Sequence, residues 1–235
     1  MAPAGRQVRP LPLELPVLTV PLQRGPVKTS PARPDSALTG PSPVTSGAPI
    51  PRVTLRAFTA DDVALIQSAS MDPLIPLITS VPAASESDGS TQAPAGETEA
   101  LAFIERQHHR LRSGAGWSFA IADASTGEAV GQIGLWPGQS SRRTSNPNTI
   151  GYWIGPAHRK QGYARAALEL LTEWALTGVQ LPRIELYIEP WNEGSWRTAE
   201  AAGYTREVLL PSWQRVGGHW RDMYRYARTA EVHPL

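Results

Sequence analysis

The distribution of proline divides this chain into two parts that fold by different rules. Eleven of the 23 prolines fall in residues 1–50, whereas none of the eight tryptophans does. Frequent proline removes backbone donors and breaks helices, and a segment without aromatic side chains has little from which to build a core. We therefore predict an irregular, proline-rich N-terminal arm over residues 1–50, a folded domain over 51–229, and a short tail over 230–235.

The apolar stretch LPLELPVLTVPL, residues 11–22 of the arm, allows two interpretations. It can lie against a surface of the folded domain or of a partner chain. It can also belong to a disordered tail, as proline-rich segments often do. The composition of the arm favours the tail.

The composition excludes several classes of protein. The chain has 235 residues, no cysteine and a net charge of +1. The lack of cysteine rules out disulfides, thiolate metal sites and a cysteine nucleophile. A balanced charge does not favour nucleic acid or an anionic membrane, and no apolar run reaches the ~20 residues of a membrane-spanning helix. We expect a cytoplasmic protein with no metal, nucleic acid or membrane among its partners.

Hydrophobic periodicity predicts a mixed α and β domain. Alternating apolar residues indicate strands, and apolar residues three or four apart indicate helices. The predicted strands cover 52–58, 117–123, 129–136, 149–154, 183–189, 204–210 and 219–228, and the predicted helices cover 59–69, 97–112, 162–177 and 192–202. Small polar residues over 80–96 predict a long loop. Because three antiparallel strands precede a strand–helix–strand unit, we expect an α+β fold with a mixed, mostly antiparallel central sheet and helices on both faces.

One turn carries an unusual concentration of positive charge. The stretch RKQGYA follows the predicted strand 149–154 and leads into a helix through Gly162. Free amides at a helix N-terminus attract anions, and glycine lets a ligand approach the backbone. Arg159, Lys160 and Arg165 add three cations, which suits a phosphate or a diphosphate. The alternative is a solvated basic turn, since neither the Walker pattern nor the dinucleotide-binding glycine pattern is present in it.

Four blocks of sequence carry a resemblance to a known family. The pattern Arg159-x-x-Gly162-x-Ala164 matches the [RQ]-x-x-G-x-[GA] signature of the GCN5-related N-acetyltransferase (GNAT) superfamily. The longer stretch GYWIGPAHRKQGYARAAL resembles the RimJ/RimL-like branch, as do WNEGSWRTAEAAGY, RDMYRYA and VTLRAFTADDV. These blocks occur in the order typical of that branch and together span about residues 52–228.

The resemblance implies a GNAT-like fold with a β-α-β unit that binds coenzyme A, and transfer of an acetyl group from acetyl-CoA to a primary amine. In this family the pantetheine arm lies between two splayed parallel strands, here 149–154 and 183–189, and the diphosphate binds the amides of the turn. No metal is implied. The residues implied in cofactor binding are Trp153, Ile154, Arg159, Lys160, Gln161, Gly162, Tyr163, Ala164, Arg165, Asn192 and Ser195.

Ser195 is the candidate proton donor for the departing coenzyme A thiolate. The resemblance implies that its hydroxyl lies near the thioester sulfur, with Asn192 along the pantetheine. Expulsion of a thiolate is aided by a nearby donor. Many relatives carry a tyrosine seven residues after this asparagine, where the present chain has Ala199. Both residues also have a simpler interpretation, since Asn192 is a good N-cap for the helix that contains Ser195.

The acceptor amine must lose a proton, and the candidate bases lie on the second of the splayed strands. Glu185, Tyr187 and Glu189 alternate onto one face of strand 183–189, so both carboxylates can point toward an acceptor cleft. We predict catalytic roles for Glu189 and Glu185 together with Ser195. The alternative is a solvated strand face that carries two charges.

The sequence leaves the acceptor and two other functions open. A protein N-terminus and a small-molecule amine both fit, and a polycationic amine would use the acidic residues near the loop, which are Glu86, Asp88, Glu97 and Glu99. One alternative is a non-catalytic acyl-CoA-binding regulatory protein whose partner binds the arm. Another is a general patch for phosphate or nucleic acid. The resemblance also allows a homodimer, because members of this branch are often dimeric.

Overall fold

The computed structural model describes residues 17–19, 52–87, 91–138 and 146–230. Within these ranges the chain forms ten strands and five α-helices. The strands are β1 (Leu18–Thr19), β2 (Val53–Arg56), β3 (Ser85–Ser87), β4 (Thr91–Ala93), β5 (Trp117–Asp123), β6 (Ala129–Trp136), β7 (Thr149–Ile154), β8 (Arg183–Ile188), β9 (Thr205–Val216) and β10 (His219–Thr229). The helices are α1 (Val63–Ser70), α2 (Ile75–Ile78), α3 (Glu97–Arg112), α4 (Tyr163–Glu173), which continues into a π-helical turn, and α5 (Glu193–Ala201).

Eight of the strands form one sheet in the order β1-β2-β5-β6-β7-β8-β10-β9. All neighbouring pairs are antiparallel except β7 and β8, which are parallel and are connected through α4. A parallel pair needs such a crossover, because its two strands run in the same direction. The prediction of an α+β fold with a mixed, mostly antiparallel sheet and one β-α-β unit is therefore confirmed.

Helices cover both faces of this sheet, as predicted. On one face, α4 and α5 pack on a core that includes Phe119, Ile150 and Leu168. On the other face, α1, α2 and α3 enclose a second core, in which the rings of Phe58 and Phe103 meet edge to face at 5.8 Å. Each large apolar side chain buried in this way contributes about 1.5–3 kcal/mol. Alternation along the central strands supplies apolar side chains to both cores.

Two regions differ from the sequence prediction. The predicted loop 80–96 contains a short hairpin, β3–β4, in which Ser85 pairs with Ala93. Its strands are three residues long and polar, so they lack the apolar alternation that identifies a strand. The final hairpin is longer than predicted, because β9 continues through Pro211 and Ser212. Proline is tolerated there because β9 lies at the edge of the sheet.

Residues 17–19 are the part of the predicted arm that the structure describes. Leu18 pairs with Leu55 at one edge of the sheet and packs against the main core, so this piece of the apolar stretch lies on the folded domain. Residues 1–16, 20–51 and 231–235 lie outside the described ranges. The limits of the arm, the domain and the tail therefore stay predictions.

A hydrogen bond at the end of β5 holds the start of α4 in place. The hydroxyl of Tyr163 donates to Asp123 Oδ2 at 2.6 Å, and the amide of Ser125 donates to Asp123 Oδ1 at 2.7 Å. Bonds from the Ser125 hydroxyl, from Tyr163 and from the Ser125 amide lower the pKa of Asp123 to about 2. Because Tyr163 is the first residue of α4, this contact fixes the helix N-terminus relative to the sheet.

We expect the substitution Asp123→Asn to lower the free energy of unfolding at neutral pH by about 1 kcal/mol, the loss typical of weakened hydrogen bonds. An aspartate in the unfolded chain has a pKa of about 3.9. The stabilisation by the native carboxylate is therefore complete above that pH and is lost as the pH falls through about 2. The difference between the two proteins should shrink over this acid range. Urea denaturation at a series of pH values measures it, and a difference independent of pH would contradict the assignment.

Candidate active site

The two parallel strands at the centre of the sheet are paired over a very short distance. Thr149 of β7 and Glu185 of β8 form the one register pair between them, and the Glu185 amide donates to the Asn148 carbonyl at 2.8 Å. Beyond this point the strands separate toward their carboxyl ends. The edge of β7 that faces β8 therefore keeps backbone groups that β8 does not use. The splayed geometry implied by the family resemblance is confirmed.

A cleft of about 1130 Å³ opens where the strands separate. Its floor is formed by residues of β6, β7 and β8, and its walls by α2 and the hairpin β9–β10. On the side of α5 it reaches Asn192 and Ser195, and on the opposite side it reaches Thr79 and Arg110. The cleft thus connects the two faces of the sheet at the point of separation.

The turn after β7 presents backbone amides to solvent. Lys160 and Gly162 both have positive φ, 61° and 89°, and α4 begins at Tyr163. A left-handed φ is unfavourable for most residues but is open to glycine, which explains why Gly162 stands immediately before the helix. The first-turn amides of α4, including those of Ala164 and Arg165, have no acceptor within the helix. Together with the helix dipole, these amides form a site suited to a diphosphate.

Two of the three cations of this turn are paired with carboxylates. Arg159 contacts Asp72 at 2.6 Å, and Arg165 contacts Glu169 at 2.7 Å. Lys160 forms no ion pair within the described part of the chain and is exposed. The net positive charge of the turn is therefore smaller than the sequence alone indicates, and the backbone amides become the principal anion-binding groups.

The ion pair of Arg159 connects the turn to the segment between α1 and α2. Burial acts to raise the pKa of Asp72, but amide hydrogen bonds from Leu74 and Ile75 and the Arg159 guanidinium together lower it. Arg159 Nε also donates to the Ile154 carbonyl at 3.1 Å. Arg159 therefore connects the turn both to the end of β7 and to the segment between α1 and α2.

The remaining residues predicted to bind the cofactor occupy three kinds of position. Gln161 is exposed on the turn and donates to a carbonyl of the preceding 3₁₀ turn at 3.2 Å. Tyr163 is directed to Asp123. Trp153 lines the cleft, but its ring is buried on the side of α3, where the indole N–H donates to Gln132 at 2.6 Å.

A tyrosine that is not among the predicted site residues lies beside Ser195. Tyr152 projects from β7 toward α5, and its hydroxyl lies 3.0 Å from Ser195 Oγ and 3.1 Å from the Ser195 carbonyl oxygen. Burial raises the pKa of the Tyr152 hydroxyl to about 12, so the group is protonated at neutral pH. Asn192 caps α5, since its Oδ1 accepts the Ser195 amide at 3.2 Å. The capping of α5 by Asn192 is therefore compatible with the contact between the hydroxyls of Tyr152 and Ser195.

Two features of the sequence point to Tyr152 in retrospect. Side chains alternate along TIGYWI, so Tyr152 and Trp153 point to opposite faces of the sheet. Tyr152 lies on the face that α4 and α5 cover, and Trp153 lies on the other face. Ala199 stands in α5 where the family resemblance implies a tyrosine, and it is completely buried. The tyrosine on the facing strand places a hydroxyl beside Ser195.

The two predicted bases share a strand face but not an environment. Glu189, directly after β8, lines the cleft and has 9% of its surface exposed. Its Oε2 accepts the Trp191 indole N–H at 2.7 Å and lies 3.9 Å from Arg221 Nε. Its Oε1 accepts no hydrogen bond from the described residues, so this oxygen is available for a proton.

Glu185 lies at the paired end of the strands and is enclosed by its neighbours. Its carboxylate accepts Arg183 Nε at 2.8 Å and the Tyr187 hydroxyl at 2.6 Å. Arg183 also donates to Glu207 at 2.8 Å. The described residues that line the cleft include Tyr187 and Glu189 but not Glu185. The geometry favours Glu189 as the base and gives Glu185 a part in an ion network of the sheet.

The wall of the cleft formed by α2 is apolar, and the cleft contains little negative charge. Leu77 and Ile78 of the α2 wall are 54% and 45% exposed. Among the described residues that line the cleft, Glu189 is the single carboxylate, whereas Arg110 and Arg221 carry positive charge. This surface suits an acceptor that does not carry several positive charges.

A splayed parallel pair that leads to an amide-rich turn and opens into an acceptor cleft is characteristic of the acetyltransferase domains of the GNAT class. The Acetyltransferase (GNAT) domain profile matches residues 52–205. The chain belongs to this family. The resemblance drawn from the four sequence blocks is therefore confirmed.

Individual relatives support the family assignment. The Bacillus subtilis (strain 168) protein named Probable N-acetyltransferase YjcK is 30% identical over 119 residues, which cover 51% of this chain and 65% of that protein. Uncharacterized N-acetyltransferase p20 of Bacillus licheniformis is 28% identical over 109 residues, which cover 46% of this chain and 60% of that protein. The chain thus covers less than two thirds of the length of these curated relatives. Among solved structures, Mycobacterium smegmatis RimJ in complex with CoA-disulfide is 27% identical, with a TM-score of 0.59 over 77% of this chain and 84% of that one.

The described residues also bear on membranes and on metal ions. None of the helices in these ranges combines the length and the apolar character that crossing a membrane requires. Over the same ranges, no group of three or more histidine, cysteine, aspartate or glutamate side chains is arranged to hold a metal ion. The cytoplasmic location stays a prediction.

Proposed function

We propose that this protein is an acetyltransferase that transfers the acetyl group of acetyl-CoA to a primary amine by direct attack in a ternary complex. The observation that carries the proposal is the splayed β7–β8 pair, which leads to the amide-rich turn before α4 and opens into the cleft. Family membership supports it, and the related RimJ of Mycobacterium smegmatis was solved with a CoA-disulfide. The acceptor is a protein N-terminus or a small-molecule amine.

In this proposal the cofactor lies along the edge of β7 that faces β8. The diphosphate binds the first-turn amides of α4, because Gly162 permits close approach and Lys160 supplies an unpaired cation within the described residues. Arg159 and Arg165 act mainly by holding the shape of the turn. The pantetheine pairs with backbone groups of β7 and passes Asn192, while an amide of the same edge stabilises the thioester oxygen.

The proposed reaction requires one proton transfer from the amine to the enzyme and one from the enzyme to the thiolate. The amine nitrogen attacks the thioester carbonyl carbon, so that a C–N bond forms and the C–S bond breaks as the tetrahedral intermediate collapses. The nitrogen loses a proton to Glu189, and the departing thiolate takes a proton from the hydroxyl pair of Ser195 and Tyr152. Glu189 then releases its proton to water, and water returns a proton to the hydroxyl pair, so the enzyme is restored. The products are an N-acetyl amide and free coenzyme A, without a covalent intermediate on the enzyme.

The charge of the cleft argues against a polyamine as the acceptor. A polycation is bound best by several carboxylates, and Glu189 is the single one among the described lining residues. Of the acids considered from the sequence, Glu97 and Glu99 lie in the first turn of α3 and do not line the cleft. An amine that carries at most one positive charge in addition to the reacting nitrogen is the better fit.

A thiol-release assay with acetyl-CoA and a panel of amines tests the proposed function. The panel contains peptides with free N-termini, simple alkylamines and spermidine, and mass spectrometry of the products locates the acetyl group. Sustained turnover with one class of amine supports an acetyltransferase. Tight binding of coenzyme A without acetylation of any amine would instead support the alternative, a non-catalytic acyl-CoA-binding regulatory protein.

We expect Tyr152→Phe to lower kcat by about 10- to 100-fold, at or below the lower end of the range for general acid catalysis because Ser195 remains. Phenylalanine keeps the ring but removes the hydroxyl that lies 3.0 Å from Ser195 Oγ. The affinity for coenzyme A should not change, since the hydroxyl acts on the leaving sulfur. Steady-state kinetics and calorimetric titration with coenzyme A measure the two quantities.

Tyr204→Phe is the matched control for this substitution. The Tyr204 hydroxyl lies 2.6 Å from Thr172 Oγ1 in the core beside α4, and Tyr204 does not line the cleft. The control should lose some stability but keep kcat. An equal loss of kcat in both variants would assign the effect of Tyr152→Phe to packing.

A further inference from the structure

Arg110 of α3 lines the cleft without a carboxylate beside it. Its Nε donates to Gln107 Oε1 at 3.0 Å, and a terminal nitrogen lies 3.4 Å from Ser80 Oγ. In the part of the chain that the structure describes, Arg110 forms no ion pair, whereas Arg221 on the opposite wall lies near Glu189. Arg110 is therefore the arginine of the cleft that has no carboxylate beside it among the described residues.

The surroundings of Arg110 make an unpaired charge unfavourable. Burial lowers the pKa of Arg110, and the neighbouring Arg106 lowers it further. An arginine has five N–H donors, and the contacts to Gln107 and Ser80 use only part of this set. A half-buried cation with unused donors is stabilised when an anion binds beside it.

Trp136 forms a flat support for the Arg110 guanidinium. The guanidinium carbon lies 5.7 Å from the centre of the indole, a cation–π distance. The indole lies across two glycines of adjacent strands, since a Cβ at Gly134 would come within 2.6 Å of it and one at Gly151 within 3.2 Å. Glycine at these positions lets the indole cover the sheet. This contact restrains the guanidinium, and the N–H groups that Gln107 and Ser80 do not use remain for a ligand.

The position of this pair along the cleft assigns it to the acceptor. Trp136 pairs with Thr149 at the start of β7, while the predicted diphosphate turn follows Ile154 at its end. The five residue steps between them correspond to about 17 Å. In addition, α3 packs on the face of the sheet opposite to α4 and α5. Arg110 is therefore remote from the cofactor phosphates and lies on the side that an amine would enter.

We propose that Arg110 and Trp136 form an anion-binding subsite, and that the acceptor carries a carboxylate a few bonds from its amine. This inference rests on the proposed acetyltransferase function and names its substrate class. The carboxylate binds the unused N–H groups of the guanidinium, and the amine lies farther along the same cleft, which Glu189 also lines. A neutral acceptor leaves Arg110 without an ion pair in the cleft. Single amino acids, and peptides with an acidic residue next to the N-terminus, share this chemistry.

Matched pairs of acceptors test the subsite and distinguish the two sources of the carboxylate. The peptide pair is Ala-Asp-Phe-amide and Ala-Asn-Phe-amide, and the amino-acid pair is phenylalanine and phenylalaninamide. Thiol release from acetyl-CoA is measured with the wild type, Arg110→Met and Arg110→Lys. We expect the wild type to prefer the charged member of one pair by at least about tenfold in kcat/KM, which corresponds to one charge-assisted hydrogen bond. In Arg110→Met, kcat/KM should fall for the charged acceptor and stay unchanged for the neutral one, so the preference is lost. Arg110→Lys should keep part of the preference.

Arg106→Met is the matched control for these variants. Arg106 is an exposed neighbour on the same helix that donates to the Ser80 carbonyl at 3.1 Å and does not line the cleft. Its substitution should preserve the preference for the charged acceptor. If Arg106→Met and Arg110→Met reduce the preference equally, the general charge of α3 is responsible and the subsite is wrong.

The outcomes separate failure of the subsite from failure of the proposed function. If Arg110→Met changes kcat/KM equally for charged and neutral acceptors, the subsite is wrong. Acetylation of these acceptors would still support the proposed acetyltransferase function. If no acceptor is acetylated, calorimetric titration with the N-acetylated forms of the two peptides in the presence of coenzyme A decides. Tighter binding of the aspartate peptide that is lost in Arg110→Met supports the subsite, and equal or absent binding of both peptides overturns it.

Discussion

Replacing Gly162 with valine is expected to weaken the binding of coenzyme A by at least about 100-fold, which corresponds to about 2.8 kcal/mol. Gly162 has a φ of 89°, a region that is roughly 1–2 kcal/mol unfavourable for an ordinary residue and worse for a β-branched one. The backbone can relieve this strain by rotating the amides around it, which are the groups proposed to hold the diphosphate. Loss of two hydrogen bonds to a charged group is sufficient for the expected effect.

Gly114→Val is the matched control for backbone strain. Gly114 has a φ of 71° with open space around its Cβ position, and it follows α3 without lining the cleft. Both variants should lose similar stability in thermal unfolding, but only Gly162→Val should lose affinity in calorimetric titration with coenzyme A. Wild-type affinity in Gly162→Val would show that the diphosphate binds elsewhere. Equal weakening in both variants would indicate a general loss of folded protein.

The β-α-β unit can be predicted from the sequence because its signals are local. The strand TIGYWI alternates, the turn RKQGYA contains its glycine, and the following helix repeats apolar residues at helical spacing. Each signal depends on residues within one or two turns of each other. The short hairpin β3–β4 has no comparable signal, since its strands are short and polar, and a loop is the natural prediction for such a segment.

The net charge of the turn is harder to predict from nearby sequence. Glu169 lies one helical turn after Arg165, so the i, i+4 rule identifies that pair from sequence. Asp72, in contrast, precedes Arg159 by 87 residues, and no local pattern connects them. The packing of the α1–α2 segment against the turn brings this carboxylate into contact. Sequence reasoning therefore locates the turn correctly and overestimates its positive charge.

For the proposed reacting groups, too, the sequence predicts local features but not contacts between distant residues. Alternation correctly places Glu185 and Glu189 on one strand face, but the point at which β7 and β8 separate decides which carboxylate reaches the cleft. Tyr152 and Ser195 are 43 residues apart, and they meet because the crossover through α4 places β8, with α5 after it, beside β7. Arg110 gave no sequence signal, because a single arginine on a polar helix is ordinary until its surroundings are known.

The second large effect is expected at Glu189, where Glu189→Gln should lower kcat/KM by about 100- to 1000-fold, within the range for loss of a general base. Glutamine keeps the size of the side chain and can still accept the Trp191 indole N–H, which lies 2.7 Å from Oε2 in the wild type. It cannot take the proton of the amine. The deficit should narrow as the pH rises toward the pKa of the acceptor amine, because more of the acceptor is then deprotonated before it binds.

Glu185→Gln makes the same chemical change on the same strand face, and the comparison of the two variants identifies the base. Glu185→Gln should destabilise the fold, because Arg183 and Tyr187 lose a charged partner at 2.8 and 2.6 Å. It should reduce kcat/KM far less than Glu189→Gln does, since Glu185 does not line the cleft. A larger loss in Glu185→Gln would reverse the assignment. Wild-type rates in both variants would mean that water carries the amine proton away, and catalysis would then rest on orientation of the amine against the thioester and on the hydroxyl pair at the sulfur.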